Sequence, residues 1–316
     1  MCAADPCPPL VVILGPTAVG KTEIAIQVAG SLHGEIVSAD SRLLYRGMDI
    51  GTAKPTPEEQ ARVPHHLIDV AGPDEDWSLA VYQRQAYRAI SAIHARGGLP
   101  FLVGGTGQYI RAVVEGWTIP KVKSDPRLRE VLEDWAEEVG LHGLHERLAV
   151  LDPQAAARID FRNLRRTVRA LEVILRTGRR FSAQRRRQPR PFCALQIGLT
   201  RPRAELYARV DARIQAMLEE GLIGEVKRLL EQGYSPDLPT LSAIGYREIV
   251  GYLQGEISLE EAVALIKRHT RQFVRRQANW FKPDDPDIHW IQAGPHAAGI
   301  LERNVRQWLR DIGWST

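Results

Sequence analysis

Gly15, Pro16, Thr17, Ala18, Val19, Gly20, Lys21 and Thr22 have the spacing G-x-x-x-x-G-K-[ST], after an apolar run and before a helical one. Glycines let backbone N–H groups wrap phosphate oxygens, and the start of the next helix adds the positive end of its dipole. Lys21 then neutralises phosphate charge, and the Thr22 hydroxyl is placed to ligate Mg²⁺. The pattern identifies a bound polyphosphate without saying which one. Asp40, in Ser38-Ala39-Asp40-Ser41-Arg42, closes the next strand-like run. Ligands of open α/β sheets bind beyond the carboxyl ends of the strands, so Asp40 is a candidate to take a proton or hold a metal there. A turn or helix-cap aspartate is the plain alternative.

Three further groups carry weaker chemistry. Asp69 ends Leu67-Ile68-Asp69 as a metal-holding aspartate ends a strand in many P-loop ATPases, but Pro64 and Gly72-Pro73 bound the run closely. A structural role for Asp69 fits better, and that argues against a motor ATPase. Gly104-Gly105-Thr106-Gly107 allows a close backbone approach to a ligand or a sharp strand-to-helix turn. Arg209 and Arg213 share a helix face, and Arg268, Arg271, Arg275 and Arg276 make a basic helix with Trp280 and Phe281 beyond it. A solvated charged face explains each equally well. His142 and His145 lack the H-E-x-x-H spacing of a zinc site and read as surface residues.

The elements that must position these groups alternate. Strand runs are expected at 10–14, 35–38, 66–70 and 100–103, with helices at 23–32 and 77–96 between them. Strands separated by helices pair in parallel, which predicts an α/β fold, a P-loop doubly wound parallel sheet. From Pro120 the texture becomes helical and basic. Helices are expected from Arg127 to Val139, ended by Gly140, from Asp152-Pro153, and from Asn163 to Thr177, ended by Gly178. Strand character returns at Cys193–Leu199, and His289-Trp290-Ile291 adds a last short strand. The chain therefore divides into a catalytic core of 1–119 and 191–316, interrupted by a helical insertion domain at 120–190.

Charge sharpens this division. The formal net charge is only +4, but Arg158 to Arg190 holds 12 arginines against two acids, whereas residues 1–119 hold 9 basic and 12 acidic side chains. Clustered like charges repel, so such a block points to a polyanionic partner bound through counterion release. Hydrophobic content of 44% suits a globular protein. No apolar run is long enough to span a membrane, and the start has no signal-peptide pattern. Cys2, Cys7 and Cys193 are too few for a disulfide framework, which predicts reduced thiols and a cytoplasmic location.

Over nearly its full length the chain resembles the tRNA dimethylallyltransferase (isopentenyltransferase) family. The resemblance is carried by GPTAVGKT at 15–22, SADSRLLYRGMDIGTAKPT at 38–56, PHHLIDV at 64–70, FLVGGTGQYI at 101–110 and RALEVILRTGR at 169–179, then by 242–262 and 270–282. The stretch from Asp40 to Lys54 is the most specific. The resemblance implies transfer of a dimethylallyl group from its diphosphate to N6 of the adenosine 3′ of the tRNA anticodon. It implies that residues 15–22 hold the diphosphate of that donor rather than ATP, with Mg²⁺ as cofactor. It makes Asp40 the general base, Arg213 the arginine that steadies the leaving diphosphate beside Arg209, and Thr17 a catalytic neighbour. Asp40, Ser41, Arg42 and Leu43, Thr106, Arg165, Arg166 and Arg169 match tRNA-contacting regions. So do Ser242, Ala243, Ile244, Gly245, Tyr246 and Arg247, with Ser242-Ala243 standing where some relatives carry a basic residue. The partner implied is the tRNA anticodon stem-loop, met by a monomer of bacterial type without a C-terminal zinc finger.

Read without the resemblance, the residues also admit a prenyltransferase acting on free adenylate, a small-molecule P-loop kinase, or a non-enzymatic RNA-binding protein. The adenylate enzyme would have no use for the arginine block. The binding protein would have none for Lys21, Thr22 and Asp40.

Overall fold

The structure, a computed structural model, describes residues 7–120, 122–184 and 189–314. Cys2 and, in the arginine block, Arg185, Arg186 and Arg187 lie outside the described residues. The chain forms two compact units, one from Met1–Val114 with Arg190–Thr316 and one from Glu115–Pro189.

The first unit opens with β1 (Pro9–Leu14), α1 (Lys21–Ser31), β2 (Gly34–Ser38), α2 (Pro57–Arg62), β3 (His65–His66), α3 (Leu79–Ala95), β4 (Leu99–Gly104) and α4 (Gly107–Val114). The second unit holds α5 (Pro126–Leu151), α6 (Pro153–Ala156), α7 (Leu164–Thr177) and α8 (Phe181–Gln184). The first unit then resumes with β5 (Cys193–Thr200), α9 (Arg203–Glu219), α10 (Leu222–Glu231), α11 (Tyr246–Leu253), α12 (Leu259–Ala278), β6 (Ile288–Gln292) and α13 (Ala297–Asp311).

Six strands form one sheet in the order β3-β2-β4-β1-β5-β6, and every pairing is parallel. Every residue of β1 and β4 is buried. A strand covered on both faces reads as a continuous apolar run, which is why these two were legible as Leu10–Leu14 and Pro100–Val103. Parallel registry places Leu14 opposite Gly104 and Gly198, and Ser38 opposite Val103. The loops that leave β1, β2, β4 and β5 therefore share one edge, where the sequence places Lys21, Asp40 and Thr106.

The strand expected at 66–70 is cut to His65–His66. Leu67 and Asp69 take positive φ angles of 62° and 56°, which no extended strand accommodates. Beyond that point the chain bonds the Asp40 loop instead: the N–H of Asp69 donates to Leu43 O at 3.1 Å and that of Val70 to Leu44 O at 2.8 Å. Asp69 accepts from Lys54, whose side chain is almost fully buried, so its carboxylate serves structure.

The second unit has its own apolar core, centred on Leu144, Leu148, Ala170 and Leu171. The helix expected to end at Gly140 does break there (φ 76°, ψ 161°) but resumes at once, so α5 is two helices meeting at a kink. Asn163 caps α7 by accepting from Arg166 N–H, and left-handed Gly178 closes it. His145 corrects the surface reading: its Nε2 lies 2.8 Å from Ile159 O and 3.2 Å from Ala156 O, against the chain after α6.

Candidate active site

The phosphate loop is held from several sides before any ligand arrives. Gly20 caps α1 with φ 106° and no side-chain cap, so the first amides of the helix stay available to an anion. The Lys21 ammonium donates to Gly15 O at 3.1 Å and Pro16 O at 2.8 Å. Lys21 is half-buried. Burial pushes its pKa down to about 8, Arg213 pushes the same way, and the carboxylate of Asp40 opposes both. Arg209 Nε donates to Ala18 O and Arg201 Nε to Val19 O, each at 2.8 Å. Both guanidinium groups stand close to Gly20, their Nη2 atoms about 4 Å from where a Cβ on that residue would lie. Arg213 keeps much of its surface exposed, so the loss of basicity that crowding and then Arg209 impose leaves it a cation.

Asp40 stands half-buried at the end of β2. Its Oδ1 accepts the N–H of Arg42 at 2.9 Å, which fixes the carboxylate, and its own N–H donates to Ser38 Oγ at 3.3 Å. Thr106 crosses from the loop after β4: its Oγ1 accepts the N–H of Ser41 at 3.1 Å and its N–H donates to Ala39 O at 3.2 Å. Gly104 explains the glycine pair. A Cβ there would sit 2.2 Å from Ala39 O, so the residue that demands glycine is the neighbouring loop, not a ligand. Arg42 itself reaches Pro239 O and Thr240 O.

The structure brings residues 15–22, Asp40, Ser41, Thr106, Arg209 and Arg213 to one edge of the first unit. It sorts the segment 242–247 by face. Ser242 and Arg247 are exposed, whereas Ala243, Gly245 and Tyr246 are buried, and the Tyr246 hydroxyl donates to Glu225 at 2.6 Å. Within the second unit, Arg165 and Arg166 are exposed on α7. Arg169 differs: it donates to the fully buried Glu172 at 2.6 Å and to Val122 O at 2.9 Å.

Four residues escaped the sequence reading. Glu225 accepts the N–H groups of Asp49, Ile50 and Gly51, and with Tyr246 fixes the loop after Asp40. Lys54 ties Tyr45 O, Asp49 and Asp69 together. Arg201 and Gln277 bond the phosphate loop. Nothing in the spacing distinguishes any of the four from a surface residue.

The Thr22 hydroxyl is one described oxygen that suits a magnesium ion. Mg²⁺ is commonly bound through one or two protein ligands, with waters and substrate phosphates completing its shell. The Thr22 hydroxyl sits in the first turn of α1, half-buried beside the phosphate loop, and bonds no other described residue. Among the described residues there is no cluster of three or more His, Cys, Asp or Glu that could hold a metal by itself. Among them, too, no helix is long and apolar enough to cross a membrane.

A family model described as IPP transferase matches residues 43–284. The chain is 57% identical over 305 residues to the tRNA dimethylallyltransferase of Roseiflexus sp. (strain RS-1), covering 95% of this chain and 99% of that one. It is 47% identical over 308 residues to that of Dehalococcoides mccartyi, covering 98% and 95%. Among solved structures it is similar to the full-length tRNA isopentenylpyrophosphate transferase from Bacillus halodurans, with a TM-score of 0.72, 41% identity and coverage of 96% and 98%. A eukaryotic dimethylallyltransferase described as acting on tRNA gives a TM-score of 0.79 at 27% identity, covering 95% of this chain and 77% of that one.

Proposed function

The chain belongs to the IPP transferase family, and on that premise we propose the reaction its residues carry out. The protein is a tRNA dimethylallyltransferase. It moves the dimethylallyl group from dimethylallyl diphosphate to N6 of the adenosine 3′ of the anticodon and releases diphosphate. One observation supports this best: parallel registry brings the chain leaving β2, with the Asp40 carboxylate on it, to the same sheet edge as residues 15–22 leaving β1.

In this reading the allylic C–O bond breaks while N6 attacks the same carbon. Negative charge grows on the leaving diphosphate, where Lys21, Arg209, Arg213 and the amides that open α1 stabilise it. Neutral N6 is a poor nucleophile, so Asp40 takes its proton as the new C–N bond forms. Thr17 lies beside the leaving group. Thr22 and the diphosphate oxygens would hold Mg²⁺, which supplies further neutralisation of the leaving group. A target base in a stacked loop must be drawn out, and the anticodon stem-loop is the part of tRNA this requires. Ser41, Arg42, Leu43, Thr106, Ser242 and Arg247 face it from the catalytic core, with Ile244 beside them. Arg165 and Arg166 grip backbone from the helical insertion. With this reading go a monomer and, for a tRNA substrate, the cytoplasm.

The test is to incubate the protein with unmodified tRNA, dimethylallyl diphosphate and Mg²⁺ and to weigh the nucleosides by mass spectrometry. One adenosine heavier by a dimethylallyl group is expected. Prenylation of free AMP with tRNA untouched, or phosphoryl transfer from ATP, would overturn the assignment.

A further inference from the structure

Gln277 sits at the C-terminal end of α12, 5% exposed, and spends both ends of its amide on the two loops of the active site. Its Oε1 accepts the N–H of Thr17 at 2.9 Å, across 260 residues of sequence. Its Nε2 donates to Gly105 O at 3.0 Å, across 172. The two partners fix the orientation of the amide: turned over, it would set donor against donor and acceptor against acceptor. Gly105 has no room for a side chain on this side, because a Cβ would lie 2.4 Å from Nε2.

The bridge continues on both sides. Thr17 belongs to the loop that receives the diphosphate. Gly105 precedes Thr106, whose hydroxyl accepts from Ser41 N–H at 3.1 Å and whose N–H donates to Ala39 O at 3.2 Å, on either side of Asp40. An unbroken path of short bonds thus runs from the donor loop through one buried amide to the loop that bears the carboxylate. The bond also takes the Thr17 amide out of the set that can point at an anion, leaving phosphate contact to the amides nearer α1.

We infer that Gln277 is a positioning residue that sets the spacing between the diphosphate loop and Asp40, and so governs the rate of transfer more than the affinity for either substrate. The inference rests on the reaction proposed above. Reacting groups must meet at about 3–3.5 Å, and a misplacement on the order of 1 Å costs about a hundredfold in rate. Each substrate, by contrast, binds largely to one side of the bridge.

Two variants test this in the full chain. Gln277→Met keeps length and volume but makes neither bond. It is expected to fold, to hold tRNA affinity and the KM for dimethylallyl diphosphate within about threefold, and to lower kcat by about 10–100-fold. Gln277→Glu keeps the acceptor for Thr17 N–H but turns the donor to Gly105 into a second acceptor. Protonation restores that donor, so its kcat relative to the wild type should rise as pH falls. Gln277→Met turning over at the wild-type rate, or losing only substrate affinity, overturns the role. If Gln277→Met fails to fold, a Gln277→Glu ratio that stays flat with pH overturns it as well. A wild-type enzyme that prenylates no tRNA would instead sink the functional reading, which keeps the two failures apart.

Discussion

Asp40 and Lys21 share one electrostatic neighbourhood, yet they are expected to fail in different ways. Asp40→Asn keeps the shape and the bond to Arg42 N–H but removes the lone pair that accepts a proton. Turnover should fall by about 10²–10⁴-fold, as for loss of a general base, with both substrate affinities nearly unchanged. Full recovery of rate at high Mg²⁺ would make Asp40 a metal ligand and end the base assignment. Lys21 governs anion binding through its charge. Its pKa is lowered to about 8 from 10.5, so the free protein loses that charge as pH rises through about 8. Bound diphosphate favours the protonated form, so affinity for inorganic diphosphate should be best below that pH and weaken by up to about tenfold per unit above it. Lys21→Arg stays charged throughout and should lack this decline. A calorimetric titration of both proteins over the range in which Lys21 titrates separates the lysine from the ionisation of diphosphate itself. Parallel curves would show that Lys21 does not titrate there.

At the level of one element, α7 divides arginines that the sequence offers as a set. Helical spacing turns Thr167, Val168, Ala170 and Leu171 inward and leaves Arg165 and Arg166 exposed. Arg169 turns toward Glu172, which is fully buried and also takes Arg129 through two bonds of 3.0 Å and the N–H of Asp125 at 2.7 Å. Removing Arg165 and Arg166 together should leave the melting temperature alone. It should weaken tRNA binding and flatten its dependence on salt, by about 0.7–0.9 in the logarithmic slope for each phosphate no longer neutralised. Arg169→Ala should do the reverse in stability, costing about 1–3 kcal/mol because a buried carboxylate is deprived of a charged partner. Filter binding over a salt series, alongside thermal melts, checks both. An unchanged slope in the double variant would mean that this face is merely solvated.

Taken whole, the molecule hangs on buried carboxylates that gather partners both near and far in sequence. Burial opposes ionisation of Glu172 and Glu248, but hydrogen bonds from arginines, His269 and backbone N–H groups outweigh it and hold both below the ordinary value of 4.5. Groups depressed in this way stabilise the fold above their unfolded pKa, and that stability is lost as pH falls through their folded values. The melting temperature should therefore hold near neutral pH and fall progressively below about 4.5, and Glu172→Gln should blunt the fall. A melting temperature insensitive to acid would contradict the ion-pair account. The same distinction between near and far partners separates what was legible in the sequence from what was not. Residues 15–22, the strands around them, the caps at Asn163 and Gly178 and the role of Gly20 follow from φ/ψ preferences, periodicity and neighbours a few positions away. The chain alone carries that information. The shortening of β3, the inward turn of Arg169 and Tyr246, the close approach of Gly104 to Ala39 and the bridge made by Gln277 were decided by the tertiary structure. Each depends on which distant backbone group arrives within about 3 Å, and a side chain's type fixes what it can bond but not what packing will bring to it.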